Sequence, residues 1–256
     1  MRKDRMNAIN HHQHQAGPRC AILGCGRPVA APKHRPVQQF HCVYHVQRKA
    51  RHGSHWHPGY RAADLKPYVK CAESWLKANA GHPLAFAAWQ ELNVKLAMAG
   101  PVDPAMNLRG RSPAYRAQVA FARLREANIN PDRLIAICLA TAALIEDDRG
   151  SHRVREFRIV QAAKAVHRLA SGTHRSWNIE TRDGRMVPYT LHAYPRSSGL
   201  VMRRLGEALE KACEGLASVA IPAIIAARRH RYGPHPSHLP GWRQAPMKLP
   251  TRRVGE

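Results

Sequence analysis

Asn130-Pro131-Asp132-Arg133-Leu134-Ile135-Ala136-Ile137-Cys138-Leu139-Ala140-Thr141-Ala142-Ala143-Leu144-Ile145-Glu146-Asp147-Asp148 decides the fold class of this chain. Asparagine, proline and an acid in succession are a helix start. The amide oxygen takes an orphan N–H, the proline ring pre-sets φ for the first turn, and the carboxylate faces the positive end of the helix dipole. The apolar run Leu134–Ile145 is too short to cross a bilayer. It ends in three acids, where an anionic lipid surface would favour bases, so a membrane role is not expected.

The same signals recur on both sides and make the chain mainly α. Upstream, Ser112-Pro113 opens a helix with Tyr115, Val119 and Phe121 inside and Arg116, Arg123 and Arg125 outside. Further back, Asp64 caps a helix carrying Leu65, Tyr68, Val69, Ala72, Trp75 and Leu76, which Gly81 ends. Pro83 opens another with Leu84, Ala87, Ala88, Leu92 and Leu96, closed near Gly100-Pro101. Trp75, Phe86 and Trp89 fall on apolar stripes and are expected in the core; segment 64–100 is also a candidate protein-docking surface.

Downstream, Gly150 stops the apolar helix and Ser151 is expected to cap the next, which ends before Gly172. Its stripe is Ile159, Ala163, Val166 and Ala170, with Arg153, Lys164 and Arg168 on the opposite side. The period then changes. Residues 176–194 read as a β-hairpin about Asp183-Gly184, with Pro188 demanding an edge or a bulge. A long helix follows from about Ser198, interrupted at Pro222 and completed by a short basic helix, 226–231.

The expected organisation is therefore a disordered basic tail (1–19), a metal-pinned module (20–53), a helical domain (60–232) containing the hairpin, and a disordered Pro/Arg-rich tail (233–256). The segment 54–60 reads as an aromatic hinge, with His55 and His57 at its surface. Three helices and a hairpin between 112 and 194 match the element order of a winged helix-turn-helix. There the helix 152–170 would read bases through Arg153, Arg155, Arg158, Lys164 and Arg168, and the hairpin tip would offer Arg182 and Arg185. A plain helical bundle carrying a hairpin fits the same order.

Charge points to the partner. Lys and Arg number 41 against 17 Asp and Glu, a formal +24. A surplus of that size repels itself in a compact fold and seeks a polyanion, and arginine's planar fork suits phosphate. Nucleic acid is the expected partner and the cytoplasm, in association with the nucleoid, the expected place.

Near the start, Cys20-Ala-Ile-Leu-Gly-Cys25 and Cys42-Val-Tyr-His45 supply three thiols and an imidazole as C-x4-C and C-x2-H, sixteen residues apart. Two ligand pairs on short turns are an economical way to build a tetrahedral zinc site, and four protein ligands give it a structural role. Arg48, Lys49 and Arg51 follow directly and are candidate phosphate contacts. Cys71, Cys138 and Cys213 stand singly in apolar surroundings and read as core thiols.

Gly24-Cys25-Gly26-Arg27-Pro28, Cys42-Val43-Tyr44-His45 and Arg51-His52-Gly53 resemble a short Cys/His finger of phage and bacterial mobile-element proteins, often found ahead of HNH nucleases. The resemblance covers residues 20–53 only, and the linker Val29–His41 lacks the family's usual Gly-Leu. It implies DNA in preference to RNA. An HNH site would need a base His, an ordering Asn and a metal-ligating His. His174, Asn178 and His192 surround the hairpin, but no paired His opens it. The one acidic cluster, Glu146-Asp147-Asp148, reads as salt-bridging to Arg149 and Arg153. The favoured expectation is a non-catalytic DNA-binding protein; the rivals are a structural RNA-binding component of a ribonucleoprotein and a nuclease with an unrecognised site.

Overall fold

A computed structural model of the chain describes residues 18–29, 40–170, 173–193 and 199–242. Among these residues the helices are α1 (Val43–His52), α2 (Ala62–Ala78), α3 (Pro83–Ala97), α4 (Pro113–Glu126), α5 (Pro131–Asp147), α6 (Arg155–His167) and α7 (Gly199–Tyr232). One antiparallel hairpin, β1 (Thr173–Glu180) and β2 (Met186–Ala193), interrupts them. The chain is mainly α with a single hairpin.

The capping signals work as chemistry dictates. Asn130 accepts the Asp132 N–H at 2.9 Å and Ser112 the Tyr115 N–H at 3.2 Å, each with proline in the first turn behind it. Helix α5 is buried almost all round, from Leu134 to Ile145. Ser151 does not cap α6, which begins four residues later. Its hydroxyl instead accepts from Tyr60 at 2.8 Å.

Helix α7 is the axis. Its 34 residues make a rod of about 51 Å, and α2 through α6 all pack on it. It buries Val201, Leu205, Leu209, Ala212, Leu216 and Ile224, while Val219 stays exposed. It also runs unbroken through Pro222, contrary to the interruption the sequence suggests. A mid-helix proline costs about 3 kcal/mol. Burial of the flanking Ala220, Ile221 and Ile224 offsets that, at roughly 1.5–3 kcal/mol for each isoleucine.

Helix α6 corrects the winged-helix expectation. Phe157, Ile159, Val160, Gln161, Ala162, Ala163 and Val166 are buried, and the helix packs against α1, α5 and α7. A helix wrapped on three sides cannot lie in a major groove, so the bundle arrangement holds. The hairpin packs chiefly on itself. Its ladder pairs Trp177 with Tyr189 and Ile179 with Val187, which places all four on one face, all exposed. Gly184, at φ 72°, makes the turn, and Pro188 stands in a two-stranded ribbon where each strand has a free edge.

Four further expectations change. Arg123, expected on the outside of α4, is buried and donates to the Asp103 carbonyl at 2.6 Å. Phe86 is exposed rather than in the core, and with Val94 and Met98 leaves apolar surface on α3. The segment 54–60 is a buried joint: Ser54 and His57 are nearly inaccessible, and His57 meets the Phe157 ring at 4.8 Å. The C-terminal segment also holds structure as far as Trp242. Ser237 is buried and accepts the Arg149 N–H at 2.9 Å, and His238 Nε2 meets the Asp147 carbonyl at 2.6 Å. At the other end Arg19 already pairs with Pro28 in a β-bridge. Residues 1–17 and 243–256 of the expected tails lie outside the described residues.

Asp147 explains the order of that C-terminal segment. Its side chain is fully buried, accepting from Tyr68 Oη at 2.6 Å and from Arg229 Nε at 2.9 Å. Burial alone would raise its pKa; the Tyr68 and Arg229 bonds outweigh burial and hold the carboxyl below its ordinary value. Arg149 and Arg153, the partners expected from sequence, do not bond it. Arg153 donates to the Glu146 carbonyl instead. Tyr68→Phe leaves a buried carboxylate one donor short and should lower stability by about 1–3 kcal/mol, measured by urea unfolding at neutral pH.

Candidate metal centre and basic surface

The Cys/His module closes around four side chains. A β-bridge between Arg19 and Pro28 ties the ends of the first knuckle, and Cys20 N–H donates to the Arg27 carbonyl at 2.9 Å. Gly24 and Gly26 adopt φ of 74° and 59°, which an L side chain resists, so the tight turn about Cys25 needs glycine on both sides. Cys42 is the N-cap of α1 and His45 follows one turn later, on the same face.

These elements bring Cys20, Cys25, Cys42 and His45 together with every ligand atom within 4.8 Å of the others, all four residues buried. Cys20 Sγ lies 3.1 Å and Cys42 Sγ 3.4 Å from His45 Nδ1, and Cys25 Sγ lies 3.8 Å from Cys42 Sγ. A tetrahedron with metal–sulfur bonds near 2.3 Å has edges of about 3.8 Å. The cluster therefore has the size and donor set to hold a metal ion. Burial, with Arg48 and Arg27 close by, lowers the His45 pKa and keeps the ring neutral, the form that ligates. Of the expected linker, residues 30–39 lie outside the described residues.

The Cys/His module is docked on the helical body through the end of α1. Gln161 Nε2 donates to the His52 carbonyl at 2.9 Å, and Arg203 to the carbonyls of Ala50 and Lys49 at 3.3 and 3.4 Å. Donors from α6 and α7 thus reach the last-turn carbonyls of α1, of which that of Lys49 also accepts the Gly53 N–H at 2.8 Å. Gly53 caps the helix at φ 78°; a Cβ there would lie 2.6 Å from the Glu156 carbonyl oxygen. Only glycine allows this approach.

Docking sorts the ten basic residues expected to touch nucleic acid. Arg48 and Arg51 of α1 come beside Lys164 and Arg168 of α6, and none of the four has a carboxylate partner among the described residues. His52 sits among them, with Nδ1 2.8 Å from Lys164 Nζ. Burial first, then Lys164, Arg48, Arg51 and Arg168, depress its pKa to about 4. The others are not part of this surface. Lys49 pairs with Glu156 at 3.5 Å, and Arg155 and Arg158 share Glu210 at 2.5 and 2.9 Å. Arg153 bonds a backbone carbonyl, and Arg182 and Arg185 are exposed at the hairpin turn.

Sequence reasoning missed Gln161, His52 and Arg203 as the docking contacts. Gln161 alone left a signal, as a polar residue beside the α6 stripe. Around the hairpin, His174 stands opposite His192 in the ladder and Asn178 opposite Pro188.

No protein-family model, curated protein or solved structure matches the chain. Among the described residues no helix is long and apolar enough to cross a membrane.

Two outcomes follow from this geometry. A strong chelator, or Cys42→Ser, should unfold residues 18–29 and 40–53 while most far-ultraviolet helix signal survives. Acid should act separately. His52 and His167 both have folded pKa values pushed to about 4, chiefly by burial, against about 6.5 unfolded. The unfolded chain takes up those protons first, so their stabilisation is complete above about pH 6.5 and is lost as pH falls towards 4. Tm should therefore drop between pH 7.5 and 5, with a shallower slope in His167→Leu.

Proposed function

We propose that this chain is a non-catalytic, zinc-stabilised DNA-binding protein of the phage or mobile-element type, with DNA held against the joint surface of α1 and α6. The observation that carries the reading is the convergence of Arg48, Arg51, Lys164 and Arg168 without any carboxylate partner among the described residues. Unpaired cations on one face are a phosphate footprint. Cations already spent on Glu156 and Glu210 contribute little.

The metal's part is structural. Three thiolates and an imidazole suit zinc, and four protein ligands leave no position open for substrate. Zinc would hold α1 in the orientation from which Arg48 and Arg51 meet the α6 cations. Duplex DNA is preferred to RNA on the resemblance of residues 20–53 to mobile-element fingers. The formal +24 of the chain would supply long-range attraction to either. Exposed Phe86, Val94 and Met98 on α3 support a protein partner at segment 64–100.

The test is titration of zinc-loaded protein into end-labelled duplex DNA, single-stranded DNA and structured RNA at two salt concentrations with Mg²⁺. Arg51→Ala with Arg168→Ala should weaken duplex binding and reduce the salt slope by about 2. Arg155→Ala with Arg158→Ala should leave affinity within about threefold, since rim cations already paired internally add little. Unchanged affinity in the first pair removes this surface as the DNA site. A shortened label would make the protein a nuclease, and preference for RNA would make it a ribonucleoprotein component.

A further inference from the structure

Behind the basic surface, α2, α5 and α6 enclose a cleft of about 420 Å³. Its floor is apolar, built from Leu65, Val69, Ile137 and Leu169. Thr141 adds no free polarity, because its hydroxyl already donates to the Ile137 carbonyl at 2.7 Å. The rim is cationic: Arg61, Lys66, Lys70, Arg133, Lys164 and Arg168 against one carboxylate, Glu73. Glu73 is taken by Arg133, and Arg61 is taken by Asp64. Lys66, Lys70, Lys164 and Arg168 remain without a carboxylate partner among the described residues.

Lys164 is the informative member. It is half-buried, and among the described residues its ammonium meets only the neutral ring of His52. Burial, then Arg168, Arg48 and Arg51, lower its pKa to about 8. A cation removed from water, surrounded by cations and lacking an anion is held at a cost. An anion entering the cleft would offset that cost. Lys66 and Lys70, one helical turn apart on α2, share a face and can meet the same anion.

We propose that this cleft binds a small phosphate monoester of about mononucleotide size, its phosphate held by Lys66 and Lys70 and its body laid on Leu65, Val69 and Ile137 beside Lys164. A dianion matches several cations at one rim better than a carboxylate does. The volume and apolar floor call for more than a bare phosphate, since ligand pockets of a few hundred Å³ are mostly apolar with a few converging polar groups. The cleft shares Lys164 and Arg168 with the proposed DNA surface, whereas Lys66 and Lys70 belong to the cleft alone.

Pyridoxal 5′-phosphate is a suitable probe, being a phosphate monoester with a planar body and an aldehyde. The neutral amine of Lys164 adds to the aldehyde carbon and water leaves. Hydride from borohydride then reduces the imine carbon to a stable secondary amine, which peptide mapping locates. Near pH 8 about half of Lys164 is free amine, against under about one per cent of an ordinary lysine.

With zinc-loaded full-length protein, Lys164 should be labelled ahead of exposed lysines such as Lys77. Pyridoxal, which lacks the phosphate, should label it at least about fivefold more slowly, equivalent to about 1 kcal/mol of phosphate binding. Adenosine monophosphate should protect it. Lys66→Gln with Lys70→Gln, checked for an unchanged melting curve, should abolish the preference for the phosphorylated aldehyde. Equal rates with the two aldehydes overturn the proposal, as does a preference that survives the double substitution or a lack of protection by the nucleotide. None of these outcomes depends on duplex DNA binding, so this site and the DNA surface stand or fall separately.

Discussion

Burial of the α7 stripe is the constraint on which the helical body depends. Val201, Leu205, Leu209, Ala212, Leu216 and Ile224 face inward along one rod, and five other helices complete their own apolar faces by packing on it. Gly206 shows how close the packing is: a Cβ there would lie 2.2 Å from the Ile159 carbonyl oxygen of α6. Such an approach fixes α6 in the interior. That position removes its central residues from solvent; of the cations at its margins, Arg155 and Arg158 are taken by Glu210, and Lys164 and Arg168 have no carboxylate partner among the described residues.

A second layer of order comes from pairing polar groups that packing would otherwise strand. The end of α1 is closed by Gln161 and Arg203, and Asp147 is closed by Tyr68 and Arg229. These bonds join segments far apart in the chain. They turn the Cys/His module and the C-terminal residues through Trp242 into parts of one body, because a buried carbonyl or carboxylate without a donor costs more than ordering the segment that supplies one.

The same accounting separates two kinds of arginine and lysine. Lys49, Arg155, Arg158 and Arg203 meet Glu156 or Glu210 and hold helices together. Among the described residues Arg48, Arg51, Lys164, Arg168, Lys66 and Lys70 meet no acid, and they gather at the α1–α6 joint and the neighbouring cleft. With so few carboxylates in the chain, where those acids sit decides which cations are left for a ligand.

Much of this could be read in one dimension. Asn130-Pro131-Asp132 and Ser112-Pro113 marked helix starts because capping is local chemistry, and Asp183-Gly184 marked the hairpin turn for the same reason. The ligand set Cys20, Cys25, Cys42 and His45 was legible because C-x4-C and C-x2-H place donors within a turn of each other. Tertiary structure alone decided that Pro222 stays inside α7, that Ser151 serves Tyr60 instead of α6, and that Phe86 lies outside the core. It alone brought Arg48 and Arg51 to Lys164 and Arg168, more than a hundred residues away, and gave Arg158 to Glu210. Local signals report the conformational preference of a few residues, whereas burial and ion pairing depend on which distant surface arrives, and no spacing along the chain records that.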